Sequence, residues 1–157
     1  MKQKTLILGL GNTLLGDEGV GVHTVRHLIR TCEDLSDVEV LDGGTLSFTL
    51  AGPIEEADKL IVIDAAQLDS PPGTLRCYEG VDMDRFVRHR IMQSVHEVSL
   101  SDLFTIVELS GELPRFRALI GIQPRLIDWS DSLTDPVRQA VPKACERVRE
   151  LLHRWRF

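Results

Sequence analysis

Gly9-Leu10-Gly11-Asn12-Thr13-Leu14-Leu15-Gly16-Asp17-Glu18 is the stretch that decides the fold, because it joins an apolar run to an amphipathic segment. Residues 6–8 before it are Leu-Ile-Leu and predict a buried strand, and residues 20–29 after it predict a helix. A strand, a glycine-rich turn and a helix are typical of a parallel α/β sheet. Dinucleotide-binding loops read Gly-x-Gly-x-x-Gly, whereas position 14 of this chain is leucine.

Two carboxylates, Asp17 and Glu18, lie where a bound phosphate would have to sit. Each would cost about 3 kcal/mol at about 5 Å from a phosphate with an effective dielectric of about 20. The helix dipole returns only about 0.3–1 kcal/mol, so the loop favours a cation. The structural alternative is that Asp17 caps the helix and Glu18 complements its dipole, as acids at this position usually do.

Composition bounds the class of protein. The 157 residues are expected to form one α/β domain, 1–157. The 24 acidic and 18 basic side chains give a net charge of −6, which argues against nucleic acid or an anionic membrane as the main partner. The three cysteines form no Cys-x-x-Cys pair, so neither a disulfide framework nor a zinc knuckle is indicated. No apolar run is long enough for a signal peptide or a membrane span, and we expect a cytoplasmic protein.

Strand and helix patterns alternate along the rest of the chain. Residues 38–41 and 59–64 predict further strands, and the second is apolar enough to be buried on both faces. Residues 75–78 favour an antiparallel edge strand, and residues 117–122 predict the last strand. This alternation predicts a three-layer α/β fold, with a twisted, mostly parallel sheet between helices.

Two later helices have clear ends. Ser99 and Asp102 form a capping box, and Gly111 lies just past the end of that helix. Residues 134–136, Thr-Asp-Pro, start the C-terminal helix, which Pro142 is expected to kink or restart.

Candidate site residues lie where strands end, because ligands bind outside the carboxyl ends of the strands in an open α/β sheet. Glu18 follows the first strand, Asp64 ends the third, and His96 precedes the capped helix. Together they could hold one divalent ion with positions left open for water or substrate. Each has a structural alternative, since Asp64 could cap a turn and His96 could be a hydrogen-bonded loop histidine. Asp42, which ends the second strand, is more simply explained by the glycine turn that follows it.

Other catalytic patterns are incomplete. His96-Glu97 opens a zincin motif, but position 100 is leucine where the second histidine would fall. His23 and His27 are four residues apart on the first helix and could clamp a metal, yet no acid follows His23, which favours a solvated helix face. The sequence has no Gly-x-Ser-x-Gly elbow and no cysteine with a placed histidine. Hydrolysis by this chain would therefore use water as the nucleophile.

Several separate blocks match one family in order and span nearly the whole chain. The blocks are Gly9-Leu10-Gly11-Asn12 through Gly16-Asp17-Glu18-Gly19-Val20-Gly21, Leu41-Asp42-Gly43-Gly44-Thr45, Ile63-Asp64-Ala65, Ser94-Val95-His96-Glu97-Val98-Ser99-Leu100, Gly111-Glu112-Leu113-Pro114 and Ile120-Gly121-Ile122-Gln123-Pro124. With them the chain resembles the hydrogenase maturation endopeptidases, which trim the C-terminal extension from the large subunit of nickel–iron hydrogenases. Gly-Leu-Gly-Asn also opens peptidyl-tRNA hydrolases, but those lack the acids that follow and need a basic face.

The resemblance implies roles for three residues. In that family a glutamate, an aspartate and a histidine contact nickel, and these fall on Glu18, Asp64 and His96. It also implies a mixed five-stranded sheet, and that nickel arrives with the substrate, the precursor of the large subunit, which is cut once and released.

The chemistry of this ligand set agrees with nickel that arrives with the substrate. Two carboxylates and one imidazole should bind nickel only modestly unless substrate groups complete the coordination. The ion would polarise the scissile carbonyl or activate a bound water, with one carboxylate as general base. Two alternatives stay open here: a non-catalytic nickel-binding chaperone that uses the same residues, and a nucleotide-binding oxidoreductase. The oxidoreductase would need Asp42 on a ribose and both Asp17 and Glu18 near phosphate.

Overall fold

The structure is a computed structural model that describes residues 3–89 and 99–156. Within these residues the chain forms a five-stranded sheet with the strand order β2-β1-β3-β5-β4. The strands are β1 Thr5–Leu10, β2 Val38–Gly44, β3 Lys59–Ala65, β4 Leu75–Glu79 and β5 Phe116–Ile122. The α-helices in the same ranges are α1 Val20–Thr31, α2 Ala51–Glu56, α3 Val81–His89, α4 Leu100–Ser110 and α5 Asp135–Arg154. Two 3₁₀ turns lie at Gly16–Gly19 and Phe48–Leu50.

The sheet is mixed, as expected. β1 pairs in parallel with β2 and β3, and β3 pairs in parallel with β5. β4 is antiparallel to β5 and forms an edge, which confirms the prediction from its alternating pattern. All seven residues of β3 are buried, as its apolar sequence indicated. The carboxyl ends of the four parallel strands therefore share one edge of the sheet.

Helices cover both faces of the sheet and confirm the three-layer architecture. On β3, Ile61 and Ile63 pack in the core cluster that includes residues of α1 and α5. Their neighbours Leu60 and Val62 pack in the opposite cluster, with residues of α2, α3 and α4. Side chains alternate across a strand, so one apolar run supplies both cores.

The helix ends follow the sequence signals. The Ser99 hydroxyl accepts a hydrogen bond from the Asp102 N–H at 3.1 Å, and the Asp102 carboxylate accepts one from the Ser99 N–H at 3.0 Å, which confirms the capping box. α5 is one helix with Pro142 inside it, so it does not restart there, and the kink that was the other expectation stays a prediction. Val141 and Ala144 are buried on either side of the proline, and this packing outweighs the backbone hydrogen bond that it removes.

The helices in residues 3–89 and 99–156 are all too short or too polar to span a lipid bilayer.

Candidate active site

Glu18 lies at the carboxyl edge of the sheet, on the 3₁₀ turn Gly16–Gly19 that links β1 to α1. Two glycines let this turn and the start of α1 approach the strands. A Cβ at Gly11 would overlap the backbone carbonyl of Glu18, and a Cβ at Gly21 would overlap the carbonyl oxygen of Ile63 at the end of β3. Gly11 therefore serves close packing of the turn beside the end of β1, and Gly21 serves close packing of α1 against β3.

Asp64 follows Ile63 in β3 and lies at the same edge. Its residue is 7% exposed, and it is in register with Gly121 of β5. The 3₁₀ turn that carries Glu18 packs against β3, and Glu18 itself is half-buried. The structure thus brings the elements of Glu18 and Asp64 together, one carboxylate within the end of the sheet and the other nearer to solvent.

His96 lies outside the described residues, in the segment that joins α3 to the Ser99 cap. Within residues 3–89 and 99–156, no three side chains of the metal-binding types are grouped closely enough to hold an ion. The candidate site is therefore described from its two carboxylates.

Asp17, the chain neighbour of Glu18, is completely buried. Its carboxylate accepts hydrogen bonds from the N–H groups of Arg125 at 2.9 Å, Leu126 at 3.1 Å and Thr134 at 2.8 Å. A fourth comes from the Thr134 hydroxyl at 2.7 Å. Burial raises the pKa of Asp17, but the hydrogen bonds from Thr134, Arg125 and Leu126 outweigh it, so the pKa is lowered below its ordinary value. Asp17 is an ionised anchor for the loop between β5 and α5.

This arrangement corrects the alternative in which Asp17 caps α1. The N-cap of α1 is Gly19, which makes no side-chain capping bond. Thr134, at the predicted start of α5, likewise makes no side-chain cap there and gives its hydroxyl to Asp17 instead. The partners of Asp17 lie more than 100 positions along the chain, so local spacing contains no signal for this contact.

Asp42 stabilises a turn, as its position predicted. Its carboxylate accepts a hydrogen bond from the Gly44 N–H at 3.0 Å and one from Arg26 at 3.2 Å. Asp42, the acid that would have to hold a ribose, and the buried Asp17 thus both accept hydrogen bonds from groups of the protein itself. The geometry gives no support to the nucleotide-binding alternative.

His23 and His27 are half-buried, which differs from the solvated face expected for them. They line a hollow of about 400 Å³ between α1 and α5, together with Arg30 and Arg138. Burial lowers the pKa of His23, and the positive charges of Arg26 and Arg30 lower it further.

Cys77 and Cys145 lack the features of an activated nucleophile. Burial raises the pKa of Cys145 to about 11, and its thiol donates to the Thr24 carbonyl at 3.8 Å. Burial also raises the pKa of Cys77, and the charge of Glu79 adds to the effect. Both thiols are therefore protonated at neutral pH.

Comparison with known proteins agrees with this architecture. The family model for hydrogenase maturation proteases matches residues 22–151. The hydrogenase expression/formation protein HupD of Bradyrhizobium diazoefficiens is 36% identical over 153 residues, covering 97% of this chain and 79% of that protein. The hydrogenase 2 maturation protease of Escherichia coli is 32% identical over 146 residues, covering 92% of this chain and 88% of that protein.

Solved structures share the whole fold. The hydrogenase maturating endopeptidase HybD from E. coli superimposes with a TM-score of 0.85 at 32% identity, covering 97% of this chain and 93% of that one. The [NiFe] hydrogenase maturation protease HybD from Thermococcus kodakarensis gives a TM-score of 0.78 at 28% identity, with coverage of 95% and 99%. The mixed sheet, the family match and these relatives together place the chain in the hydrogenase maturation protease family, whose members are hydrolases that cut a peptide bond.

Proposed function

We propose that this chain removes the C-terminal extension of a nickel-loaded [NiFe] hydrogenase large-subunit precursor, and that Glu18, Asp64 and His96 contact the nickel. The observation that carries the proposal is the packing of the Glu18 turn against the end of β3, beside Asp64. In a chain of this protease family, two carboxylates at a ligand-binding edge are the groups best suited to a metal-assisted hydrolysis.

The donor set suits a metal that comes with the substrate. Carboxylate oxygens and one imidazole offer no soft thiolate ligand, so the protein alone should hold nickel modestly. Ligands from the precursor would complete the coordination, and nickel is then part of what is recognised. The enzyme would in this way act on metal-loaded precursor and leave the metal-free one uncut.

The two carboxylates differ in exposure, and this difference suggests separate roles. Nickel, when bound with the precursor, polarises the scissile carbonyl or lowers the pKa of a water. Asp64 is held within the sheet, so its carboxylate would be a negatively charged nickel ligand in a fixed position. Glu18, half-buried and nearer to solvent, is better placed to accept the proton of the attacking water and return it to the leaving amine.

The proposal includes the compartment in which the reaction takes place and the kind of partner that is bound. Three free cysteines suit the reducing cytoplasm, where the precursor would be processed. The net charge of −6 makes a folded protein a better partner than nucleic acid.

The decisive experiment incubates the protein with nickel-loaded precursor and follows the mass of the large subunit. We expect Glu18→Gln, Asp64→Asn and His96→Ala each to slow cleavage by about a hundredfold or more. Asp42→Asn is the matched control, because it removes a carboxylate at the same edge that serves a turn, and it should cut at the parent rate. Parent-like cleavage by the first three variants would reject the proposed site.

Metal removal tests the same proposal independently. Precursor purified without nickel should stay uncut by the parent protein, and adding nickel to it should restore cleavage. Equal cleavage with and without the metal would show that the protease is not metal-dependent. A precursor that stays whole while its nickel moves to this chain would identify a nickel-binding chaperone instead.

A further inference from the structure

Four large apolar side chains lie exposed on two segments next to the candidate site. We call them the rim patch: Leu14, Leu126, Ile127 and Trp129. Trp129 is 78% exposed, and the other three are each more than half exposed. Single exposed hydrophobic residues are ordinary, but a group of them on adjoining loops marks a site of interaction.

Backbone hydrogen bonds hold the two segments of the rim patch side by side. The Ser130 N–H donates to the Leu14 carbonyl at 2.9 Å, and the Gly16 N–H donates to the Ser130 carbonyl at 2.9 Å. The Asp17 N–H donates to the Leu126 carbonyl at 3.1 Å. Two of these donors, Gly16 and Asp17, belong to the turn that carries Glu18, so the rim patch is continuous with the candidate site.

The rim patch is also fixed in position before any partner binds. The buried carboxylate of Asp17 accepts hydrogen bonds from Arg125, Leu126 and Thr134, which anchors the loop at both ends. A preformed surface loses little conformational entropy on binding and therefore favours affinity.

The composition of this surface is that of a protein interface. Tryptophan is among the residues that contribute most to binding energy, and protein interfaces surround an apolar centre with a polar rim. Here the exposed charged residues Arg125, Asp128 and Asp131 alternate with and flank the apolar ones.

We infer that the rim patch is the docking surface for the folded body of the hydrogenase large-subunit precursor, through an apolar area of the precursor beside the bond that is cut. This inference rests on the proposed function, because that function supplies the partner. A protease that cuts one bond in one folded protein needs more contact area than the scissile peptide offers. The rim patch supplies it directly beside Glu18.

The test measures binding of nickel-free precursor to the immobilised protein, because docking on the rim patch does not require the metal. Trp129→Ala and Ile127→Ser should each raise the Kd about tenfold. Ile29→Ser on α1 is the matched control, since Ile29 is 57% exposed and Ile127 is 54% exposed. The control should bind within about twofold of the parent, and thermal unfolding confirms that all three variants are folded.

Equal Kd values for the parent, Trp129→Ala and Ile127→Ser would overturn the inference. Sedimentation of the protein alone tests a different occupant, because self-association that Trp129→Ala abolishes would assign the rim patch to a second copy of this chain. Failure of the proposed metal site shows separately, as cleavage that persists in Glu18→Gln, and leaves the Kd comparison intact.

Discussion

The loop anchored by Asp17 and the edge that carries Glu18 and Asp64 begin from neighbouring carboxylates and use them differently. Asp17 is fully buried and accepts hydrogen bonds from residues 125, 126 and 134, which fixes a loop. Glu18 is the next residue, remains half-buried and lies against β3 at the ligand-binding edge. Asp17 is thus used for structure, whereas Glu18 is the acid that we propose for the chemistry.

The difference shows what separates an anchor from a candidate catalytic acid. The charge of Asp17 is balanced by N–H and O–H donors within the protein, so its carboxylate has little capacity left for a ligand. Asp42 repeats the pattern in a weaker form, with one backbone donor and an exposed arginine. Complete burial and saturation with hydrogen-bond donors therefore identify Asp17 as a structural acid, although it lies just after a strand end.

The largest effect that tests this comparison is the loss of stability in Asp17→Ala. The substitution leaves three N–H groups and one hydroxyl without their buried acceptor, and we expect the free energy of unfolding to fall by about 4 kcal/mol. Glu18→Ala leaves these donors and their acceptor in place and should lower it by clearly less. Urea unfolding followed by circular dichroism measures both.

The opposite effects of the two substitutions on stability and cleavage would contradict this comparison. A stable Asp17→Ala protein that no longer cuts precursor would make Asp17 part of the chemistry. A Glu18→Ala protein that unfolds readily would make Glu18 a structural residue.

The fold was largely predictable from the sequence because its signals are local. The apolar run of β3, the alternating pattern of β4 and the capping box at Ser99 each give an element its type and at least one end. α2 and α3 were not predicted. α2 is only six residues long and includes Gly52 and Pro53, and α3 has few apolar residues, so neither has a strong helical pattern.

The site was predictable to the level of strand ends and no further. Placing Glu18 and Asp64 at one edge follows from parallel pairing of β1 and β3, which their apolar runs indicate. The role of Asp17 depends on hydrogen-bond donors in the loop before α5. The contact with Thr134 joins residues 117 positions apart, and no local sequence pattern predicts such a contact. His96 lies outside the described residues, so its role remains a prediction.

The pH dependence of stability sharpens the same comparison. The folded pKa of Asp17 lies below its ordinary value of 3.8, so the unfolded chain binds this proton first as the pH falls. The stabilisation is therefore complete well above pH 4 and is lost as the pH falls below that value, through the folded pKa. We expect the stability difference between the parent and Asp17→Asn to narrow between pH 6 and pH 3.

The other carboxylates titrate in both proteins, so their contribution to the pH dependence cancels in the difference between the parent and Asp17→Asn. Urea unfolding of both proteins at several pH values gives it directly. A difference that stays constant down to pH 3 would mean that Asp17 is not the ionised anchor described here.

A smaller effect separates the hydroxyl of Thr134 from the rest of the anchor. Thr134→Val keeps the shape of the side chain but removes the 2.7 Å hydrogen bond to Asp17, and we expect a loss of about 1.5 kcal/mol in the free energy of unfolding. Thr134→Ser retains a hydroxyl and should lose clearly less. If serine and valine destabilise the protein equally, the methyl group of Thr134 and not its hydroxyl carries the effect.

The smallest effect is expected at Asp42, whose pairing with Arg26 is largely exposed. Ion pairs of this kind contribute little, because solvent screens the charges and holding two side chains together costs entropy. Arg26→Gln should therefore lower the free energy of unfolding by no more than about 0.5 kcal/mol, as measured by urea unfolding. A loss as large as that of Thr134→Val would show that strand-end acids of this fold act as anchors in general. Asp17 would then differ from Asp42 in degree only, and the number of buried donors would no longer identify a structural acid.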